Sequence, residues 1–185
     1  MNRWWLLTWT TYGTWLPGDP RGFVSSVPDE SGPQRKHNAV GADYDRDHSV
    51  LFASAQSLMK EPATKLNPAQ AKIILEQFHT TADHRGWRLI AAAILWDHIH
   101  LVVGVPGDPD PANLLRDFKS YASRALNRSS VEFRRERWWT ESGSRCKLPC
   151  ETAVFAAVRY VRDQHEPLVV WIEPAFAAEN LIETK

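Results

Sequence analysis

The chain has 185 residues, 43% of them hydrophobic and 24% charged, which suits one domain with a core of its own. Its 22 basic and 22 acidic residues cancel, which excludes a protein that coats nucleic acid through overall positive charge and leaves local clusters as the only basic surfaces. No stretch nears the roughly 18 apolar residues of a membrane span, the opening MNRWWLLTWTTYG lacks a small-residue cleavage site, and Cys146 and Cys150 are too few for a disulfide scaffold, so a cytoplasmic protein with reduced thiols is expected.

Residues 3–12, RWWLLTWTTY, are aromatic and β-branched and stop at Gly13, a first strand. Residues 17–49 are rich in Gly, Pro, Asp and Ser without an apolar period, and we expect a long loop insertion there within a single domain spanning 1–185. Asn67 followed by Pro68 and closing at Gly86 predicts a capped helix with Ile73, Ile74, Phe78 and Ala82 inward. Two apolar runs, WRLIAAAIL and HIHLVVGV, flank Trp96-Asp97 as in a hairpin. A second amphipathic helix is expected over 109–129, an extended segment over 137–148, a third helix over 151–165 and a last strand over 169–173. This order predicts an α+β fold, a ferredoxin-like (RRM-like) antiparallel sheet with helices packed on it. Of the nine tryptophans, most are expected in the core, with stacking of unpaired bases as the other use for them.

The chemistry begins in WDHIHLVVGV. On a strand, His98, His100 and Val102 share one face while Ile99, Leu101, Val103 and Val105 share the other. Two imidazoles on alternate residues can converge on one divalent ion, although such pairs are more often solvated or hydrogen-bonded. In the helix PANLLRDFKSYASRALNRSS, Leu114, Leu115, Phe118, Ala122, Ala125 and Leu126 form an apolar stripe with Tyr121 at its edge. Asp117, Arg124 and Arg128 neighbour that phenol, a setting that suits an oxygen attacking a phosphodiester and equally a tyrosine at a core boundary. Arg116, Lys119, Arg124, Arg128, Arg134, Arg135 and Arg137 cluster in one short stretch, which suits a solvated basic helix face as well as nucleic acid, and the first six are the expected DNA contacts. Tyr12, Tyr44 and Tyr160 lack this cationic setting and are not expected to be nucleophiles; Tyr160 is placed in a helix stripe with Phe155 and Val161.

The aromatic first strand, the HIH strand after a helix, the helix bearing FKSYASRALN, and WWTESGSR with a closing EPLVVW together resemble single-tyrosine HUH transposases, closest to the REP-associated tyrosine transposases, from Trp4 to about Trp171. The resemblance implies an HUH endonuclease architecture and a metal-dependent single-stranded DNA endonuclease and strand transferase acting on hairpin-forming DNA through a 5′-phosphotyrosine. It implies His98 and His100 as ligands of Mg²⁺ or Mn²⁺, Tyr121 as the catalytic nucleophile, and a monomer or homodimer that joins the nucleoid when bound to DNA. Such enzymes complete the metal shell with an amide or acid about one turn after the tyrosine, where this chain has Ala125, so Asp117 or Asn127 is the expected third ligand. A non-catalytic single-stranded nucleic-acid-binding module and a metal-dependent hydrolase that uses water are the alternatives.

Overall fold

A computed structural model describes residues 2–22, 48–129 and 134–179. Its elements are β1 (Asn2–Thr10), α1 (Ser49–Ser57), α2 (Pro68–Arg85), β2 (Arg88–Ile94), β3 (His98–Pro106), α3 (Pro111–Ser129), β4 (Ser144–Leu148), α4 (Glu151–Arg162), β5 (Val169–Ile172) and α5 (Pro174–Glu179). The chain divides into two compact units, one of Met1–Thr11 with Thr64–Lys185 and one of Tyr12–Ala63.

Helix α1 of the smaller unit and α5 of the larger are elements that the sequence pattern does not announce, and α1 buries no residue. The expected insertion over 17–49 falls inside this unit, with 23–47 outside the described residues. Its first turn is shaped by Gly18 at φ 83°, where a Cβ would lie 2.4 Å from the His48 carbonyl oxygen. Buried Asp19 is held by Arg21, which donates from Nε and Nη2 at 2.9 and 2.8 Å and keeps the carboxyl below its ordinary pKa.

The larger unit carries one five-stranded sheet in the order β4-β1-β3-β2-β5, with every neighbouring pair antiparallel. The run β1-α2-β2-β3-α3-β4 is the ferredoxin-like core, as expected, and α4 and β5 are added after it. Helix α2 begins where the sequence says it should: Gln70 N–H donates to Asn67 Oδ1 at 2.9 Å, and Asn67 N–H donates to Gln70 Oε1 at 3.0 Å. It ends on Gly86 in the left-handed region, φ 65°.

Strand alternation splits the apolar residues into two cores. On one face Leu7, Trp9, Ile94, Ile99, Leu101 and Val103 pack with Ile74 and Phe78 of α2 and Leu114, Phe118 and Ala122 of α3. Phe78 and Phe118 meet edge to face at 5.3 Å in its centre, and each fully buried ring of this kind contributes roughly 1.5–3 kcal/mol. On the other face Ile90, Ala91, Ala93, Val102 and Leu148 pack with Val154, Ala157, Val158 and Val161 of α4. Trp5, Trp9, Trp138 and Trp139 are all buried in the first core. Thus α2 and α3 cover one side of the sheet and α4 covers the other.

Candidate active site

Residues two apart on β3 share a face, so His98 and His100 lie on the side of Val102, under α4. Their rings meet edge to face with centroids 4.8 Å apart. Each ring is held through Nδ1. Asp97 Oδ1 lies 2.6 Å from His98 Nδ1, and Thr8 Oγ1, directly across the β1–β3 pairing, lies 2.8 Å from His100 Nδ1. With Nδ1 protonated and donating to these oxygens, both Nε2 lone pairs are left to accept a metal or a proton, the arrangement in which neighbouring oxygens orient ligating imidazoles. His100 is buried, and that burial, reinforced by His98, pulls its pKa to about 4 against the opposing pull of Gln164 and Asp97, so the ring is neutral at neutral pH.

Helix α4 brings two further groups. Tyr160 Oη is 3.5 Å from His100 Nε2, and the two rings are 4.9 Å apart, edge to face. Gln164, four residues later and just past the end of α4, donates from Nε2 to the Tyr160 carbonyl at 2.9 Å, and its amide raises the His100 pKa. The sequence had this spacing on show in YVRDQ. The signal for it is an amide four residues after the tyrosine, which neither charge nor apolar period marks.

The structure does not bring Tyr121 to the histidines. Helix α3 buries Leu114, Leu115, Phe118, Ala122 and Leu126 in the opposite core, so within one chain the sheet stands between Tyr121 and His98. Tyr121 instead carries the Arg124 guanidinium 5.3 Å from its ring centre. The expected third ligands are displaced for the same reason. Asp117 pairs with Arg85 of α2 at 2.7 Å. Asn127 is used structurally: its Oδ1 accepts from Arg135 N–H at 3.0 Å and Trp138 Nε1–H at 2.9 Å, and its Nδ2 donates to the Arg135 carbonyl at 2.9 Å. Among the described residues no group of three His, Cys, Asp or Glu side chains is placed to hold a metal; the Gln164 amide is a further polar group acting on His100.

The basic cluster also separates by role. Lys119 Nζ donates to the carbonyls of Thr140, Glu141 and Ser142, the last two at 3.1 Å. Burial lowers its pKa to about 8, which leaves an ammonium at neutral pH for those three oxygens. It is a clamp on the WWTESG segment. Arg135 lies over the Trp138 ring at 5.9 Å, and Arg128 donates from Nη2 to Gln77 Oε1 at 3.4 Å. Arg116, Arg124 and Arg134 are exposed. Arg116 and Arg145 line a groove of about 450 Å³ beside α3 and the 139–145 segment, on the side away from His98 and His100.

No helix of the described residues is long and apolar enough to cross a membrane. No curated protein matches the chain. Among solved structures, a REP-associated tyrosine transposase bound to a REP hairpin aligns with 86% of this chain at 12% identity and a TM-score of 0.49. This chain spans 64% of that one, a little under two thirds of its length. A crystal structure of a transposase from Deinococcus radiodurans R1 aligns with 89% of this chain and 92% of its own, at 15% identity and a TM-score of 0.41. A family model described as IS200-like transposase matches residues 58–164, more than half of the chain and a span that takes in His98, His100, Tyr160 and Gln164. The chain belongs to the IS200-like transposase family.

Proposed function

We propose that this protein is a metal-dependent single-stranded DNA endonuclease and strand transferase that works through a 5′-phosphotyrosine on Tyr160. The observation that carries the reading is the 3.5 Å approach of Tyr160 Oη to His100 Nε2, with Gln164 four residues on. His98, His100 and Gln164 are the residues that would hold the cation. They fit it: two imidazoles are oriented through Nδ1, and the Gln164 amide acts on His100 beside them. This mixed nitrogen and oxygen donor set suits Mn²⁺ at least as well as Mg²⁺. A divalent cation bound there supplies charge neutralisation to the phosphate and to the departing 3′ oxygen.

Tyr160 stands on a rigid helix with its ring edge against His100, so its hydroxyl is aimed before DNA arrives. The phenol gives its proton to solvent water as its oxygen attacks phosphorus. The bond from phosphorus to the 3′ oxygen breaks, that oxygen leaves as a 3′-hydroxyl after taking a proton, and the 5′ phosphate stays esterified to Tyr160. A second 3′-hydroxyl attacking the same phosphorus reverses the exchange and joins strands. Hairpin-forming DNA is proposed as the substrate on the sequence resemblance; the exposed Arg116 and Arg124 lie on α3, across the sheet from Tyr160, and would meet only phosphates away from the cleaved one.

The test is incubation with single-stranded hairpin DNA and Mn²⁺, followed by denaturing electrophoresis. A covalent protein–DNA adduct is expected from the native chain and from Tyr121→Phe, and none from Tyr160→Phe. An adduct that persists in Tyr160→Phe, or that is lost only in Tyr121→Phe, overturns the assignment.

A further inference from the structure

Exposed aromatic surface is scarce in the larger unit. Among its described residues the large apolar side chains left exposed are Tyr160, at 50%, and Trp96, at 41%. Tyr160 belongs to the site by its contact with His100. Trp96 stands close to it along the chain, two residues before His98, with their Cα atoms no more than about 7 Å apart.

The turn that carries Trp96 is fixed on both sides. Leu95 N–H donates to the His98 carbonyl at 2.9 Å and closes a two-residue hairpin loop. The Trp96 carbonyl accepts from Leu66 N–H at 2.8 Å, and the Asp97 carbonyl accepts from Thr11 N–H at 2.7 Å. Lys65, between the buried Thr64 and Leu66, sets its ammonium 5.4 Å from the centre of the Trp96 ring. With the ammonium over one face of the indole, a base stacked on the opposite face and a phosphate reaching the ammonium past the ring edge would match one unpaired nucleotide.

We propose that Trp96 and Lys65 form a one-nucleotide platform beside the cleavage site. The base of an unpaired nucleotide flanking the scissile phosphate stacks on Trp96, and Lys65 Nζ pairs with that nucleotide's phosphate. The inference rests on the reading of Tyr160, His98 and His100 as the cleavage site. Because every base has a π-face, the platform accepts any base and sets which phosphate lies under Tyr160.

The probe is a hairpin oligodeoxynucleotide with a single-stranded flank in which one 2-aminopurine is moved position by position, bound to the full chain carrying Tyr160→Phe so that no bond is broken. Stacking on indole quenches 2-aminopurine, and quenching is expected at one position of the flank. Adding Trp96→Ala is expected to abolish that quenching and weaken binding by roughly five- to one-hundred-fold, while Trp96→Phe keeps most of the affinity. Lys65→Gln is expected to reduce the slope of log affinity against log salt by about 0.7. Equal quenching and equal affinity in Trp96→Ala, with thermal melting unchanged, overturn the platform. If the otherwise native chain still forms its Tyr160 adduct in that case, the platform alone has failed; absence of both adduct and DNA binding overturns the cleavage reading with it.

Discussion

Thr8 Oγ1 and His100 Nδ1 lie 2.8 Å apart across paired positions of β1 and β3. The contact leaves the Nε2 edge of a buried, neutral imidazole facing Tyr160, so a side chain on the first strand decides which nitrogen of His100 is available. Asp97 does the same for His98 from the adjoining turn.

Removing these anchors frees the two imidazoles to turn without removing them. Thr8→Val and Asp97→Asn are each expected to weaken Mn²⁺ binding by about 10–100-fold, and Thr8→Ser to restore most of it. Titration of Mn²⁺ followed by electron paramagnetic resonance measures this. Unchanged affinity in Thr8→Val would remove Thr8 from the site.

The two amides Asn127 and Gln164 are expected to part company. Gln164→Ala lowers metal affinity and adduct formation with little change in melting temperature. Asn127→Ala breaks three hydrogen bonds to Arg135 and Trp138 and is expected to cost roughly 1–3 kcal/mol of stability with metal affinity intact. Calorimetry of both variants with and without Mn²⁺ separates the roles, and a loss of metal affinity in Asn127→Ala would restore it as a ligand.

The metal-free protein carries a pH dependence of known sign. His100 titrates at about 4 in the folded chain and near 6.5 when exposed. Between these values the unfolded chain holds a proton that the folded chain refuses, so this contribution is full above about pH 6.5 and is lost as pH falls toward 4. The loss is on the order of 3 kcal/mol. Urea denaturation at a series of pH values is expected to show this slope in the native chain and a shallower one in His100→Gln.

Lys119 is a structural cation. Lys119→Met strands the carbonyls of Thr140, Glu141 and Ser142 and is expected to destabilise the fold by about 1–3 kcal/mol. A normal melting temperature with weakened DNA binding would instead return Lys119 to the phosphate contacts.

Much of this was legible beforehand. The capped α2, the antiparallel ferredoxin-like order and the alternation that puts His98 and His100 on one face all follow from spacing, because helix and strand periods are properties of the backbone. The short α1 and α5 were not, since α1 buries nothing and leaves no apolar period to read.

The choice of tyrosine shows where sequence reasoning stopped. Charge around Tyr121 is a local property and was read correctly as such; Arg124 does lie over its ring. Which side of the sheet a helix covers is not local. In the fold, α2 and α3 share the face of Ile99 and Leu101, and only α4 reaches the histidines. By itself the sequence determined the histidine pair, its face and the family resemblance; the tertiary structure decided that Tyr160 and Gln164 stand over that pair, because a five-stranded sheet is a wall and a side chain can work only on the side where its helix packs.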